Sequence, residues 1–323
     1  MTVSKEWSQY FRKNGSSKQL IVVFHAFRAG PKQMEDVCKL AKALFPDGDQ
    51  YVPQLPCQAT SFADPKAISE QQLLIINEIW SDGGAGYASI VFIGHSIGGL
   101  IARCVVLLAV EGTANPKDAA AVQWVDKIDR LILLAGMNRG WSAGHHLSLK
   151  DQVSWNLGTT VASIIGWVRK KQFLIMTIRR GSPFMTWLRI RWILASNNAL
   201  SGGLSLPFTI QLLGSVDDMV SPKDNIDLVS GSNFCYLDVP YSGHSSVVEL
   251  SSGKVVQSLY RPETTVGAER TRVLSDALTS TKEELWGASN LPSDKLQISR
   301  NTETDDLARF IHRRQLCRLA GVS

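Results

Sequence analysis

The chain has 323 residues, of which 44% are hydrophobic, and a formal net charge of +5 at pH 7. This length and this apolar fraction suffice to bury a full hydrophobic core, and they suit a large domain that carries an insertion. The five cysteines are scattered, without a C-x-x-C pair or a Cys/His cluster, so no metal, redox centre or other cofactor is expected.

Short apolar runs alternate along the chain with longer stretches of helical character. Strand-like runs cover residues 21–24, 89–93 and 131–134, and helical stretches cover residues 65–80 and 98–110. Runs that are apolar at nearly every position suit strands that are buried on both faces of a sheet. The alternation therefore predicts an α/β fold with a mostly parallel central sheet flanked by helices.

A sharp turn is predicted where the strand at 89–93 meets the helix at 98–110, because the residues between them have the pattern G-x-S-x-G. Gly94 and Gly98 flank Ser96 at a turn that leaves no room for side chains. The strained backbone pushes the Ser96 hydroxyl out of the sheet edge, where a base and a substrate carbonyl can reach it. The start of the following helix favours negative charge. Ser96 is thus the candidate nucleophile.

Residues 141–205 differ in composition from the rest of the chain and are predicted to form a helical lid or cap inserted into the core. They contain five of the nine tryptophans, and eight basic residues against one acidic residue. Trp141, Trp167 and Trp187 are candidates for lining a substrate pocket. Three interpretations stay open, namely a mobile lid over an acyl-binding pocket, a lid that binds an anionic membrane surface, and a plain cap with solvated charges.

Two further strand-like runs each lead to a residue suited to a catalytic triad. The run at 209–213 ends at a turn with Asp217 and Asp218, and the run at 234–239 ends at a loop with His244. Asp217 is the preferred acid and Asp218 is the alternative. His244 would take the serine proton as a base, while the aspartate orients the imidazole and stabilises its charged form.

The negative oxygen of a tetrahedral intermediate needs hydrogen-bond donors that are already in place. The backbone N–H of Ile97, directly after the serine, is expected to be one of them. The second is expected from the loop after the first strand-like run, with Phe27 preferred over Ala26.

Four segments of the chain resemble the α/β-hydrolase superfamily, and within it the lipase-like serine esterases. They are the loop at 24–27, similar to a His-Gly-x oxyanion loop with alanine in place of glycine, the elbow at 94–99, the strand and turn at 131–140, and the pair Asp217 and His244. The order Ser, Asp, His along the chain is that of the superfamily. The resemblance implies a serine hydrolase that cleaves carboxylic esters with an apolar acyl group, including lipids, through an acyl-enzyme.

Other functions fit the same residues. An amidase, a thioesterase or an acyltransferase would use the same triad, and a non-catalytic binding protein of this fold is the alternative of another class. Besides the ester substrate, the expected partner is an anionic membrane contacted through the basic lid. Nucleic acid is not expected, because bulky aliphatic residues are mixed with the basic ones and no recognisable module is present. The sequence leaves the oligomeric state open.

The predicted organisation is a hydrolase core at 1–140 and 206–262, the lid or cap at 141–205, and a C-terminal helical extension at 263–323. The first residues lack the apolar region of a signal peptide. No uninterrupted apolar stretch reaches about 18 residues, the length that a spanning helix needs. A cytoplasmic protein is therefore expected.

Overall fold

A computed structural model of the chain describes residues 5–14, 18–58, 60–82, 87–113, 122–141, 172–200, 205–215, 217, 233–258 and 261–289. The predictions for Trp167 and Asp218, and for the tail beyond residue 289, lie outside these residues. In the described part, seven strands form one sheet and helices cover both of its faces. The predicted fold class is confirmed.

The strands of this sheet are parallel to their neighbours except for the first, which pairs with the third in the antiparallel sense. Their order across the sheet is β1-β3-β2-β4-β5-β6-β7. Because parallel strands end at the same edge, the residues that follow β4, β6 and β7 are brought together there. The strands are β1 (Phe11–Arg12), β2 (Gln19–Phe24), β3 (Asp49–Tyr51), β4 (Ser89–His95), β5 (Ile128–Leu134), β6 (Phe208–Gly214) and β7 (Phe234–Val239), and a separate hairpin contains β8 (Val255–Ser258) and β9 (Arg261–Thr265).

The helices include the two predicted from the sequence, which extend a few residues beyond the predicted bounds. Among the described helices, none is both long and apolar enough to cross a membrane. The α-helices are α1 (Glu35–Leu44), α2 (Pro65–Asp82), α3 (Ile97–Thr113), α4 (Leu174–Thr177), α5 (Pro183–Leu200), α6 (Val266–Thr279) and α7 (Lys282–Ser289), and short 3-10 turns occur at Lys5–Tyr10, Pro31–Met34, Val125–Lys127 and Ser246–Val248.

The strands divide the core into two layers, one on each face of the sheet. Leu20 and Val22 of β2 pack in a layer with α2, α3 and α5, which we call the insertion-side layer. Ile21 and Val23 pack in a layer with α1, α6 and α7, which we call the opposite layer. Successive side chains of a strand point to opposite faces, so a strand covered on both sides is apolar throughout.

The described part of the predicted lid, residues 172–200, packs on the insertion-side layer. Two backbone hydrogen bonds join this part to the start of the predicted lid. The N–H of Trp141 donates to the carbonyl of Ile178 at 3.2 Å, and the N–H of Arg180 donates to the carbonyl of Trp141 at 2.8 Å. On α5, the side chain of Trp192 is buried. This part of the insertion is therefore docked on the core.

The described part of the predicted C-terminal extension contains α6 and α7, and both pack directly on the sheet. Leu274 and Ala277 of α6 and Leu285 of α7 are buried in the opposite layer. Because these side chains cover the strands themselves, the segment contributes to the core of the domain.

Glycine is required where the start of α3 passes the end of β2. A Cβ atom on Gly98 would lie only 2.4 Å from the carbonyl oxygen of Phe24. Backbone approaches this close are possible only without a side chain. The contact places the loop after β2 directly beside the turn that follows β4.

We predict that Gly98→Ala destabilises the fold by roughly 1–3 kcal/mol, because the added methyl group forces α3 away from β2. Gly112→Ala in the same helix is the matched control, since its Cβ would be 3.6 Å from the nearest side-chain atom, a methyl of Val122. The control is expected to be neutral or to stabilise the fold by up to about 1 kcal/mol. Urea unfolding followed by circular dichroism measures both values, and equal stability of the two variants would contradict the prediction.

Candidate active site

Ser96 occupies the turn between β4 and α3, on the central strand of the sheet. Its φ is +55°, in the left-handed region that residues with side chains seldom adopt. The N–H of Ser96 donates to the carbonyl of Leu134 at 2.9 Å, which anchors the turn to β5. Strained residues of this kind persist only where their surroundings fix them, and they cluster at functional sites.

The three residues predicted as a triad lie together in the structure. His244 Nε2 is 2.8 Å from Ser96 Oγ, and His244 Nδ1 is 3.1 Å from Asp217 Oδ2. The side chains of His244 and Asp217 are 6% and 3% exposed, so water barely screens their interaction. With Nδ1–H donating to the carboxylate, Nε2 is free to accept the hydroxyl proton of Ser96.

The backbone N–H groups predicted as oxyanion donors differ in whether they already have an acceptor. Ile97 is the first residue of α3, so its N–H has no acceptor within the helix. The N–H of Ala26 donates to the Gln33 side chain at 3.0 Å, and the N–H of Arg28 donates to the carbonyl of Cys57 at 2.8 Å. Within the described residues, the N–H of Phe27 donates to no acceptor. Of the two candidates in this loop, Phe27 is the one whose N–H is available.

His25, which immediately precedes these donors, holds their loop in place. Its Nε2 accepts the N–H of Leu55 at 2.8 Å, so its Nδ1–H donates to the carbonyl of Ala26 at 2.8 Å. Burial lowers the pKa of His25, against the opposing effect of the bond to Ala26. Both nitrogens of this neutral ring are therefore occupied. The sequence places His25 after an apolar strand but gives no sign of the bond to Leu55.

His95 links the elbow to the loop of His244. It is fully buried, and its Nε2–H donates to the carbonyl of His244 at 2.8 Å. Burial, and then the neighbouring His244, lower the pKa of His95 to about 3. The sequence indicates a packing role for His95, and the structure adds this hydrogen bond.

The described thiols lie in the core. Burial raises the pKa of Cys38 to about 11 and that of Cys57, Cys104 and Cys235 to about 12. Thiolates are accordingly scarce near neutral pH. Within the described residues, no group of three or more His, Cys, Asp or Glu side chains is arranged to hold a metal ion.

The arrangement of these parts identifies the fold. A strained serine follows the central strand of a mostly parallel sheet, and the acid and the histidine come later in the chain, after β6 and β7. A strand–serine–helix elbow with this chain order is the signature of one architecture. The chain has the α/β-hydrolase fold.

Solved structures similar to this chain include three from different organisms. Aspergillus fumigatus lipase B has a TM-score of 0.47 at 11% identity, over 76% of this chain and 54% of the other, so this chain spans about half of that lipase. MenH from S. aureus has a TM-score of 0.43 at 15% identity, over 74% and 91%. The peroxisomal α/β hydrolase Lpx1 from Saccharomyces cerevisiae has a TM-score of 0.49 at 12% identity, over 90% and 85%. No family model and no curated protein sequence matches the chain.

The predicted pocket tryptophans are placed differently from one another. Trp141 is buried, and its indole N–H donates to the carbonyl of Ile175 at 2.8 Å. Trp187 is half-buried on α5, with Lys66 Nζ 5.1 Å from its ring centroid. Trp167 lies outside the described residues. A contact of these side chains with substrate stays a prediction.

The predicted membrane contact also stays a prediction. On α5, the side chains of Ile190 and Leu194 are 52% and 47% exposed. Arg179 and Arg180 are exposed close to the start of this helix. Apolar and basic side chains in this combination suit an anionic surface.

We predict that His95 makes stability depend on pH. The unfolded chain protonates this residue near its ordinary pKa of 6.5 and the folded chain only near 3. Since the unfolded state binds more protons between these values, stability is full above pH 6.5 and falls as the pH drops toward 3, by up to about 1.4 kcal/mol per pH unit. His95→Gln keeps an N–H donor but cannot titrate, so its urea-unfolding free energy should fall less steeply between pH 6 and 4. Equal slopes in both proteins would refute this.

Proposed function

We propose that this chain is a serine hydrolase that cleaves carboxylic esters through an acyl-enzyme. The 2.8 Å separation between His244 Nε2 and Ser96 Oγ is the observation that carries the proposal. At this distance the imidazole can remove the hydroxyl proton as the oxygen attacks an ester carbonyl. Asp217, 3.1 Å from Nδ1, fixes the imidazole tautomer and stabilises the imidazolium that forms.

The reaction then has two halves. In the first, Ser96 Oγ bonds to the carbonyl carbon, and the N–H groups of Ile97 and Phe27 stabilise the resulting oxyanion. The tetrahedral intermediate collapses as the ester C–O bond breaks, and His244 gives its proton to the leaving alkoxide. In the second half, water attacks the acyl-enzyme with His244 as the base, which releases the carboxylic acid and restores the serine.

Three half-buried apolar rings, one in the oxyanion loop and two stacked on each other in other segments, support an apolar acyl group. The N–H of Arg28 bonds to the carbonyl of Cys57, which ties this loop to the segment that continues to Phe62. The ring of Phe62 stacks on that of Phe173 from the insertion, with 4.2 Å between centroids. Both rings and that of Phe27 are half-buried, as expected of side chains that a ligand could cover. An amide or a thioester would meet the same surface, so the leaving group is left to experiment.

We predict that Ser96→Ala abolishes labelling by a fluorophosphonate probe and lowers kcat on p-nitrophenyl esters by about 10⁶-fold, because the attacking oxygen is missing. Asp217→Asn is expected to lower kcat by about 10⁴-fold, through the wrong imidazole tautomer. Asp218→Asn is the matched control, expected to stay close to wild type. Labelling of Ser96→Ala at the wild-type rate would contradict the proposal, and a wild-type protein that neither reacts with the probe nor hydrolyses esters would favour a binding protein.

We predict that wild-type kcat/KM on p-nitrophenyl esters rises from acetate to longer acyl chains, because the Phe62–Phe173 pair offers apolar surface. Phe173→Ala should lower kcat/KM for a long-chain ester about tenfold while barely changing it for acetate. Phe208→Ala, at the opposite edge of the sheet, is the control and should affect both esters equally. A loss that does not depend on chain length would contradict the placement of the acyl group, and parallel assays with amides and thioesters identify the preferred leaving group.

A further inference from the structure

The loop that carries His244 has no regular secondary structure of its own. It runs from the end of β7 to the 3-10 turn at Ser246–Val248. A base on such a loop stays within proton-transfer distance of its partner only if contacts from elsewhere fix the loop. Side chains from other elements therefore have to hold residues 240–249, which comprise this loop, the 3-10 turn and Glu249.

Arg270 of α6 makes three hydrogen bonds to this loop. Its Nε donates to the hydroxyl of Ser242 at 2.7 Å, and its Nη2 donates to the carbonyl of Tyr241 at 2.9 Å. Its Nη1 donates to the carbonyl of Glu249 at 2.9 Å. The guanidinium thus binds the chain on both sides of His244, while the Arg270 side chain itself is 5% exposed.

The residues that Arg270 contacts are themselves constrained. Tyr241 has a φ of +53°, a left-handed conformation that is strained for a residue with a side chain. The hydroxyl of Ser242 is fully buried, and it accepts from Arg270 while donating to the carbonyl of Pro240 at 3.0 Å. The bonds from Arg270 thus offset the strain at Tyr241 and satisfy the polar groups that the tight turn buries.

The other side of the same loop lies against the active-site edge of the sheet. A Cβ atom on Gly214, at the end of β6, would lie 2.4 Å from the carbonyl oxygen of Ser242. The His95 imidazole donates to the carbonyl of His244 from the elbow. The loop is therefore held between Arg270 on one side and the ends of β4 and β6 on the other.

Both the charge and the planar shape of the Arg270 guanidinium matter at this position. Burial lowers the pKa of Arg270, and the Glu249 carboxylate opposes this effect. That carboxylate lies 3.9 Å away and its side chain is 63% exposed, so solvent screens the pair. The buried charge is consequently stabilised mainly by hydrogen bonds to two loop carbonyls and one hydroxyl. These bonds use the planar, forked arrangement of N–H donors in the guanidinium, which lysine cannot reproduce.

We propose that Arg270 is a positioning residue for the hydrolysis reaction, holding His244 at the distance from Ser96 that proton transfer requires. The inference rests on the proposed function, since it assigns to Arg270 a role in that reaction. A purely structural role makes a different prediction. In that case, loss of Arg270 would lower the melting temperature while each folded molecule kept its kcat.

The test compares Arg270→Ala with Arg272→Ala. Arg272 lies on the same helix, but its side chain is 51% exposed and pairs with Glu269 and Asp276. Activity on p-nitrophenyl butyrate is expressed per folded molecule, from circular dichroism at the assay temperature. We expect Arg270→Ala to lower kcat about 100-fold with little change in KM, because a misplaced base slows proton transfer without weakening binding. Arg272→Ala should match wild type.

Chemical rescue separates positioning from stability. Deleting the side chain leaves a space shaped for a guanidinium ion, so millimolar ethylguanidinium should restore about a tenth or more of the lost kcat in Arg270→Ala and change nothing in Arg272→Ala. The acid limb of the pH profile of kcat/KM follows protonation of the proposed base in the free enzyme. This limb should shift in Arg270→Ala and stay in place in Arg272→Ala. Wild-type kcat per folded molecule in Arg270→Ala would overturn the proposal, as would a loss that ethylguanidinium does not restore.

A second variant keeps the test decisive if Arg270→Ala does not fold. Ser242→Ala removes only the oxygen that accepts from Nε, so it leaves the buried charge two of its three bonds. It should lower kcat about tenfold per folded molecule and lower the melting temperature less than Arg270→Ala does, because two of the three bonds to the buried charge remain. Unchanged kcat in Ser242→Ala would then overturn the proposal.

Wild-type protein distinguishes the failure of this inference from that of the proposed function. If wild type neither hydrolyses esters nor reacts with a fluorophosphonate, the proposed function is wrong and the role of Arg270 falls with it. If wild type is active and both Arg270→Ala and Ser242→Ala match it, only the role of Arg270 is wrong.

Discussion

Close contact between backbone segments, which only glycine permits, determines the distance between the Ser96 hydroxyl and the His244 imidazole. Gly98 lets the start of α3 meet the end of β2, and Gly214 lets the end of β6 meet the histidine loop, each at a separation that a Cβ atom would fill. Proton transfer needs heavy atoms about 2.6–3.2 Å apart, so a shift of one ångström at either contact would separate the pair. The geometry of the candidate site therefore depends on positions that carry no side chain.

Three buried histidines lie in this region, and their hydrogen bonds rather than their residue type decide which one can act as a base. His25 and His95 each bind a backbone carbonyl, and burial lowers the pKa of both. His244 alone among these three bonds to a carboxylate on one nitrogen and a hydroxyl on the other. An imidazole flanked in this way can gain a proton and be stabilised as it does so.

Local sequence patterns predict the elbow and strands β2 and β4 to β7, because each depends on neighbouring residues. The choice of Asp217 and His244 also used the chain order that the resemblance to the superfamily implies. The partners of Arg270 and His25 could not be predicted, since their bonds join segments that only the folded sheet brings together. That α6 packs on the central sheet could not be predicted for the same reason. Its Leu274 and Ala277 are apolar at helical spacing. That spacing predicts a helix with one apolar face, but it does not show which surface the face packs against.

The two layers of the core contact different parts of the candidate site. The insertion-side layer carries α5 and the start of α3, and it borders the edge where the acyl group is proposed to lie. The opposite layer holds the loop of His244, because Arg270 of α6 bonds to residues 241, 242 and 249, and Asp36 of α1 accepts the N–H groups of Leu250 and Ser251 at 3.1 and 3.0 Å. Close packing within each layer resists displacement of these helices. Sequence changes in the insertion can therefore alter the acyl surface while the position of His244, which depends on the other face of the sheet, is preserved.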